Sequence, residues 1–103
     1  MDTKAALTQF VALAQDMLDA YMAKHFALNG KKVLTVEPGR RYTRIVTQTE
    51  GRDDRSCYCF VDMTNGDVLM SASWKKPAKH ARGNIFDADP IKAVCPHGAN
   101  YMR

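Results

Sequence analysis

Apolar residues over positions 3–28 recur at helical spacing, with polar residues mostly between them. Asp2 or Thr3 can cap the start of this helix, and Asn29-Gly30 supplies the positive φ angle that commonly ends one. The apolar stripe consists of Leu7, Phe10, Val11, Ala14, Met17, Leu18, Tyr21, His25 and Leu28. The pattern predicts one long amphipathic helix at the N-terminal end.

After residue 30 the period changes to two, which is typical of strands with one buried face. Pro38-Gly39, the polar stretch 50–55 and Asn65-Gly66 are turn signals between the alternating stretches. The predicted strands are Val33–Val36, Tyr42–Thr49, Ser56–Asp62 and Asp67–Trp74. Short turns between consecutive strands favour antiparallel pairing, so these strands are expected to form a four-stranded meander.

The last thirty residues are less regular. We expect Lys75–Gly83 to be a basic connection, because Pro77 cannot donate to a sheet ladder and breaks helix interiors. Asp89-Pro90 is a typical helix start and predicts a short helix over Pro90–Val94, after which residues 99–102 either add a strand or pack on the core. The predicted fold is α+β, with the long N-terminal helix packed on the four-stranded antiparallel meander and a short C-terminal helix.

Length and composition narrow the class of protein. A chain of 103 residues fits a single domain, residues 1–103. No apolar run approaches the ~18 residues of a membrane span, and the opening MDTKAALTQF lacks the basic and apolar regions of a secretion signal. Three cysteines are an odd number and do not resemble a disulfide framework, so we expect a reducing, cytoplasmic setting.

The cysteines raise the question of a metal site. Cys57 and Cys59 alternate with Tyr58 along one strand, so the two thiols are predicted to share the core face with Val61, while Tyr58 and Phe60 take the other. Cys95, His97, His80 and His25 could complete a zinc site, but the C-x₂-C knuckle typical of structural zinc is absent from the sequence. The favoured interpretation is that both thiols fill the core.

The sequence contains no pattern typical of an enzyme. Its serines lie in no Gly-x-Ser-x-Gly context, and no glycine-rich phosphate loop is present. The acidic pairs Asp53-Asp54 and Asp87/Asp89 fall in predicted turns, where short carboxylates usually act as turn formers and caps. We therefore expect a non-enzymatic protein without catalytic residues, cofactor or metal.

The distribution of charge points to an anionic partner. The net charge is +4, and no acidic residue occurs from Val68 through Phe86. Cations on a rigid sheet edge can follow a phosphate backbone, and a neighbouring aromatic ring can stack on bases. The predicted nucleic-acid-binding residues are Trp74, Lys75, Lys76, Lys79, His80 and Arg82, which Arg40, Arg41, Arg44, Arg52 and Arg55 would extend if the strands bring them near. The alternative is a solvated loop whose charges keep the protein soluble.

Two resemblances bear on this segment. The stretch TNGDVLMSASWKKPAKHARGNIFD (Thr64–Asp87) resembles a segment of small uncharacterised proteins of tailed bacteriophages, and the ending GANYMR is similar to the C-terminus of that group. This resemblance implies a phage protein made in the host bacterium's cytoplasm. The run Lys75–Lys79 is similar to a lysine-rich run in double-stranded-RNA-binding domains, which implies that Lys75, Lys76 and Lys79 contact phosphates.

We therefore expect a small phage protein that binds nucleic acid through a basic surface, largely without sequence specificity. Two alternatives stay open. One is a protein-interaction module that inhibits a host enzyme or defence factor, and the other is a binder of nucleotides or small anions. The two free edges of a meander are also compatible with a homodimer.

Overall fold

The computed structural model describes residues 2–25, 31–95 and 98–99. In this part of the chain, a long helix packs on an antiparallel sheet, which confirms the α+β class. The elements are α1 (Thr3–His25), β1 (Lys32–Glu37), β2 (Tyr42–Thr49), β3 (Ser56–Asp62), β4 (Asp67–Ser71), β5 (Pro77–Asn84), a 3-10 helix (Pro90–Ala93), β6 (Val94–Cys95) and β7 (Gly98–Ala99).

Helix α1 follows the predicted stripe. The Asp2 carboxylate accepts a hydrogen bond from the backbone N–H of Ala5 at 2.7 Å and so caps the first turn. The residues that α1 buries are Ala6, Leu7, Phe10, Ala14 and Leu18. His25 lies exposed in the last turn, where the helix dipole favours a cation. Residues 26–28 of the predicted helix and its predicted stop at Asn29-Gly30 lie outside the described residues.

The sheet has one strand more than the sequence predicted. Among the described residues, five strands pair in chain order, and the segment expected to be a basic connection is the edge strand β5. Pro77 begins this strand, a position where the missing N–H costs no ladder hydrogen bond. β4 ends at Ser71 rather than at Trp74, because the chain turns back where the N–H groups of Ala72 and Ser73 donate to the carbonyl oxygen of Lys76.

One face of the sheet packs against α1 and the C-terminal elements. The core between them includes Leu34, Ile45, Val61 and Val68. Gly83 lies so close to the 3-10 helix that a Cβ atom at this position would meet the Cβ of Ala93 at 2.5 Å. The predicted short helix near the C-terminus begins at Pro90 as expected, but it is a 3-10 helix and ends at Ala93 rather than at Val94. Of the predicted final segment, residues 100–102 lie outside the described part of the chain.

A register shift in the β2–β3 pair changes the predicted faces of β3. Ile45 pairs with Cys59, whereas the next residue, Val46, pairs with Cys57, so Tyr58 is the extra residue of a β-bulge. Tyr58 joins Cys59 in the core under α1, and the Cys57 thiol interacts with Ser71 and not with that core. The prediction that Cys57 shares the core face and that Tyr58 faces away was therefore wrong.

The face of the sheet turned away from α1 is called the outer face below. Glu37 of β1 pairs with Arg44 of β2, Arg44 pairs with Phe60 of β3, and Phe60 pairs with Leu69 of β4. Because paired residues in an antiparallel sheet point to the same side, these residues form one row across the outer face. The row brings two charged side chains next to two apolar ones, and the candidate site is built on it.

Candidate nucleic-acid interface

Arg44 is the centre of the outer face. Its guanidinium carbon lies 5.8 Å from the ring centroid of Phe60 and 4.4 Å from that of Trp74, both within the range of cation–π attraction. Arg44 Nε also donates a hydrogen bond of 2.9 Å to the backbone carbonyl oxygen of Trp74. These contacts hold the β4–β5 loop, residues 72–76, down on the outer face.

The indole of Trp74 is held by a second arginine. The guanidinium carbon of Arg55 lies 5.4 Å from the Trp74 ring centroid. Trp74 nevertheless remains 38% exposed. Trp74 is therefore fixed by one arginine from β2 and one from the β2–β3 turn. Part of its surface is still open to solvent.

Glu37 forms an ion pair with each of these arginines, and its single negative charge offsets one of their two positive charges. Its carboxylate accepts a hydrogen bond from Arg44 Nη1 at 2.9 Å through one oxygen and one from Arg55 Nη2 through the other. The two ion pairs are half-exposed, so each contributes little to stability by itself. Their main effect is geometric, because they fix the planes of the guanidinium groups.

Beside this cluster lies an open cleft of about 490 Å³ between the β1–β2 turn and the β4–β5 loop. It is called the cationic cleft here, and it is lined by Glu37, Pro38, Gly39, Arg40, Arg41, Tyr42, Arg44, Phe60 and Lys75. Four of these lining residues are cations and one is a carboxylate. The cleft therefore presents an excess of positive charge next to aromatic rings.

Arg41 is anchored at the cleft by a buried carboxylate. Arg41 Nε and Nη2 donate to Asp62 Oδ2 at 3.1 and 2.9 Å, and the guanidinium carbon lies 5.1 Å from the Tyr42 ring centroid. Burial by itself would raise the pKa of Asp62, but the hydrogen bonds from Arg41 and Thr64 outweigh it and hold the pKa below its ordinary value. Asp62 is therefore ionised at neutral pH and keeps Arg41 in place.

Arg40 and Lys75 differ from the anchored arginines. Both side chains are exposed, and neither forms an ion pair with a described carboxylate. Arg40 belongs to the β1–β2 turn and Lys75 to the β4–β5 loop, so the cleft receives these cations from two separate segments. These two cations are available to an anion that enters the cleft.

The other predicted contact residues continue from the cleft along the sheet edge. Lys76 lies in the loop, and Lys79 and His80 lie on β5, all of them exposed. No carboxylate in the described ranges forms an ion pair with Lys76 or Lys79. We call Lys75, Lys76 and Lys79 the lysine edge. It lies in a loop and a strand and does not begin a helix.

Arg82, the last predicted contact, has a different environment. It is half-buried, and its Nη2 atom lies 4.0 Å from the sulfur of Met70, a residue that packs against the core. Its Nε and Nη1 atoms are buried, and they have no hydrogen-bond partner within the described part of the chain. An anion outside the protein cannot reach these two nitrogen atoms in this conformation.

The sequence identified only part of this site. Four of the five arginines considered as an extension lie at the site. Arg40, Arg41 and Arg44 line the cleft, and Arg55 contacts Trp74. Arg52 does not line the cleft. Tyr42 also lines the cleft. The signal for the arginines was their charge, but their convergence depends on strand pairing.

Cys57 and Cys59 show no comparable chemistry. Cys59 is buried in the core, and its burial raises the pKa of its thiol above the ordinary value. Cys57 is half-buried, and burial likewise raises its pKa. The described residues contain no group of three or more His, Cys, Asp or Glu side chains that could hold a metal ion. His97 of the alternative zinc site lies outside the described residues.

Fold and site together define a small α+β protein with a cationic, aromatic-lined cleft on the outer face of its sheet. Residues 3–100 match a family of unknown function (DUF7717), and the chain belongs to this family. No curated protein and no solved structure shows significant similarity to the chain. Among the described residues, no helix combines the length and the apolar character needed to cross a membrane.

Proposed function

We propose that this protein binds nucleic acid through a basic surface composed of the cationic cleft and the lysine edge, largely without sequence specificity. The observation that carries the proposal is the set of exposed cations Arg40, Lys75, Lys76 and Lys79, for which no described carboxylate provides an ion pair. Unpaired cations on a fixed scaffold release condensed counterions when they meet phosphates, which favours binding to a polyanion.

The mechanism is electrostatic, with support from the anchored arginines. Arg44 and Arg55 hold Trp74 against the sheet, so the loop that carries Lys75 and Lys76 has a defined position. Contacts of this type position a phosphate backbone but carry no sequence information. The protein is accordingly proposed to be non-enzymatic. Its proposed setting, the cytoplasm of a phage-infected bacterium, rests on the resemblance of Thr64–Asp87 to phage proteins.

The test is a fluorescence anisotropy titration of labelled single- and double-stranded DNA and RNA at 50 mM salt. The variant Lys75→Gln/Lys79→Gln removes two cations of the surface, and we expect its affinity to fall by about tenfold or more, because two counterion-releasing contacts are lost. The control is Lys4→Gln/Lys24→Gln, which removes the same charge from exposed positions on α1, on the opposite side of the sheet.

The control should bind as the wild type does. Equal losses in both variants would show that net charge alone governs binding and would reject the basic surface as a defined site. Undetectable binding of every nucleic acid at low salt would reject the function itself and would favour the alternative of a protein-interaction module.

A further inference from the structure

The cationic cleft has the size of a pocket for a small molecule. Its volume of about 490 Å³ falls within the range of ~300–1,000 Å³ that is typical of ligand pockets. A flat basic surface can bind any polyanion, whereas a recess can also hold a chemical group that projects from the backbone of the polymer. In a duplex the bases are paired and stacked inside, whereas an unpaired nucleotide can turn its base and sugar into such a recess.

The hydrogen-bond donors of the cleft suit a phosphate group. Arg41 and Arg44 are each held by a carboxylate, yet Arg41 Nη1 and Arg44 Nη2 make no hydrogen bond to any described residue. Guanidinium groups that are already oriented lose little freedom when they bind a phosphate, and charge-assisted hydrogen bonds of this kind are strong. Arg40 and Lys75 add two exposed cations, one from the β1–β2 turn and one from the β4–β5 loop.

The carboxylate in the cleft does not oppose this assignment. Glu37 accepts from both Arg44 and Arg55, so its charge is already compensated. Tyr42 supplies a half-buried ring at the same cleft, beside the guanidinium group of Arg41. Aromatic side chains next to cations are the combination with which proteins bind unpaired nucleotides without reading their sequence.

From these observations we propose that the cationic cleft holds one unpaired nucleotide, so that the protein binds single-stranded nucleic acid in preference to a duplex. The inference rests on the proposed function and makes it more specific. The preference is diagnostic, because a purely electrostatic surface releases more counterions from a duplex, which has the higher charge density, than from a single strand.

The first experiment uses 5′-AMP as the probe and follows backbone amide signals by NMR. We expect AMP to shift the signals of Arg40, Tyr42 and Lys75 and to compete with a labelled single-stranded oligonucleotide. Inorganic phosphate at the same concentration is the comparison. Equal shifts with phosphate and AMP would mean that the cleft recognises only an anion, and this result would overturn the assignment to a nucleotide.

The second experiment compares single-stranded and duplex DNA of equal length at equal salt. We expect the single strand to bind at least about fivefold more tightly, because stacking in the cleft adds to the phosphate contacts. Arg40→Gln should weaken both AMP and single-strand binding. The matched variant Lys79→Gln removes one exposed cation on β5 outside the cleft and should weaken polymer binding only.

The outcomes separate this inference from the proposed function. If duplex and single strand bind equally well and AMP does not compete, the inference is wrong while nucleic-acid binding stands. If AMP binds in the cleft but no oligonucleotide binds, both proposals are wrong, and the protein is a nucleotide-binding module.

Discussion

The hydrogen bonds of Asp62 lead to the most detailed prediction of this structure. Asp62 is the last residue of β3, and only 4% of its surface is exposed. One carboxylate oxygen accepts from Arg41 Nε and Nη2 of the β1–β2 turn, and the other accepts from the N–H and hydroxyl groups of Thr64 in the β3–β4 turn. Asp62 therefore ties two turns to the end of one strand.

The variant Asp62→Asn keeps the shape of the side chain but replaces one of the two accepting oxygens by an NH₂ group. Either the donors of Arg41 or those of Thr64 then face a donor instead of an acceptor. Hydrogen bonds to a charged group are worth about 1.5–3 kcal/mol each. Because the Arg41 side chain is 59% exposed and can be rehydrated, we discount the total to a loss of about 2–3 kcal/mol in the free energy of unfolding.

The assay is thermal unfolding followed by circular dichroism at pH 7. For a domain of this size, the expected loss corresponds to a fall in Tm of about 10–20 °C. The control is Asp53→Asn, the same substitution at an exposed residue of the β2–β3 turn, which should change stability by less than about 0.5 kcal/mol. A Tm for Asp62→Asn within 2 °C of the control would refute the role assigned to this carboxylate, because a Tm shift of ~2 °C corresponds to less than about 0.5 kcal/mol in the free energy of unfolding.

Three further predictions concern the loss of stability in acid, the substitution of glycines with positive φ and the substitution of Arg82. Hydrogen bonds lower the pKa of Asp62 by more than its burial raises it, and hydrogen bonds from Thr49 lower the pKa of Asp54. The stability that these carboxylates add is therefore present above their ordinary pKa of ~3.9. It is lost as the pH falls through the lower pKa values that they have in the folded protein. Urea unfolding should therefore show a loss of stability from pH 5 to about pH 3 that is smaller in Asp62→Asn, and an equal loss would contradict this assignment. Gly66→Ala and Gly51→Ala should each cost about 1–2 kcal/mol for their φ angles of 83° and 80°. Gly66→Ala should cost more, because a Cβ at Gly66 would meet the ring of Phe86 at 2.7 Å, whereas at Gly51 it would meet no atom within 4 Å; equal urea midpoints for the two variants would count against this contact with Phe86. Arg82→Met should raise Tm and leave nucleic-acid binding unchanged, since two buried nitrogen atoms without partners cost about 1–3 kcal/mol, and a lower Tm or weaker binding would show that Arg82 has a partner.

The elements set by local pattern were predictable from the sequence. The stripe of α1 and the turn at Asn65-Gly66 appear where the sequence places them, because helix periodicity and the positive φ of a glycine are properties of a few neighbouring residues. Strand β5 was missed because it is an edge strand that begins with proline and carries exposed Lys79 and His80 in succession. Such a strand lacks the alternation that marks a half-buried strand.

The candidate site was predictable only in its linear part. The lysine edge is a contiguous feature of the sequence, so its charge was visible at once. The stack of Phe60, Arg44 and Trp74 depends on the pairing of β2 with β3 and on a contact between residues 30 positions apart. The bulge at Tyr58 likewise arises from how β2 and β3 fit together. Alternation of apolar residues and turn geometry set the register of a strand pair, but they do not mark where a bulge interrupts it.

The central claim is that the cationic cleft and the lysine edge form one surface that engages phosphates. Its most direct test is the salt dependence of the affinity for a single-stranded oligonucleotide, measured for the wild type and for Lys75→Gln/Lys79→Gln. With the four unpaired cations Arg40, Lys75, Lys76 and Lys79 in contact, the slope of log K against log salt should be about −3, and the variant should lower its magnitude by about 1.4. A slope near zero, or one that is the same in both proteins, would contradict the claim.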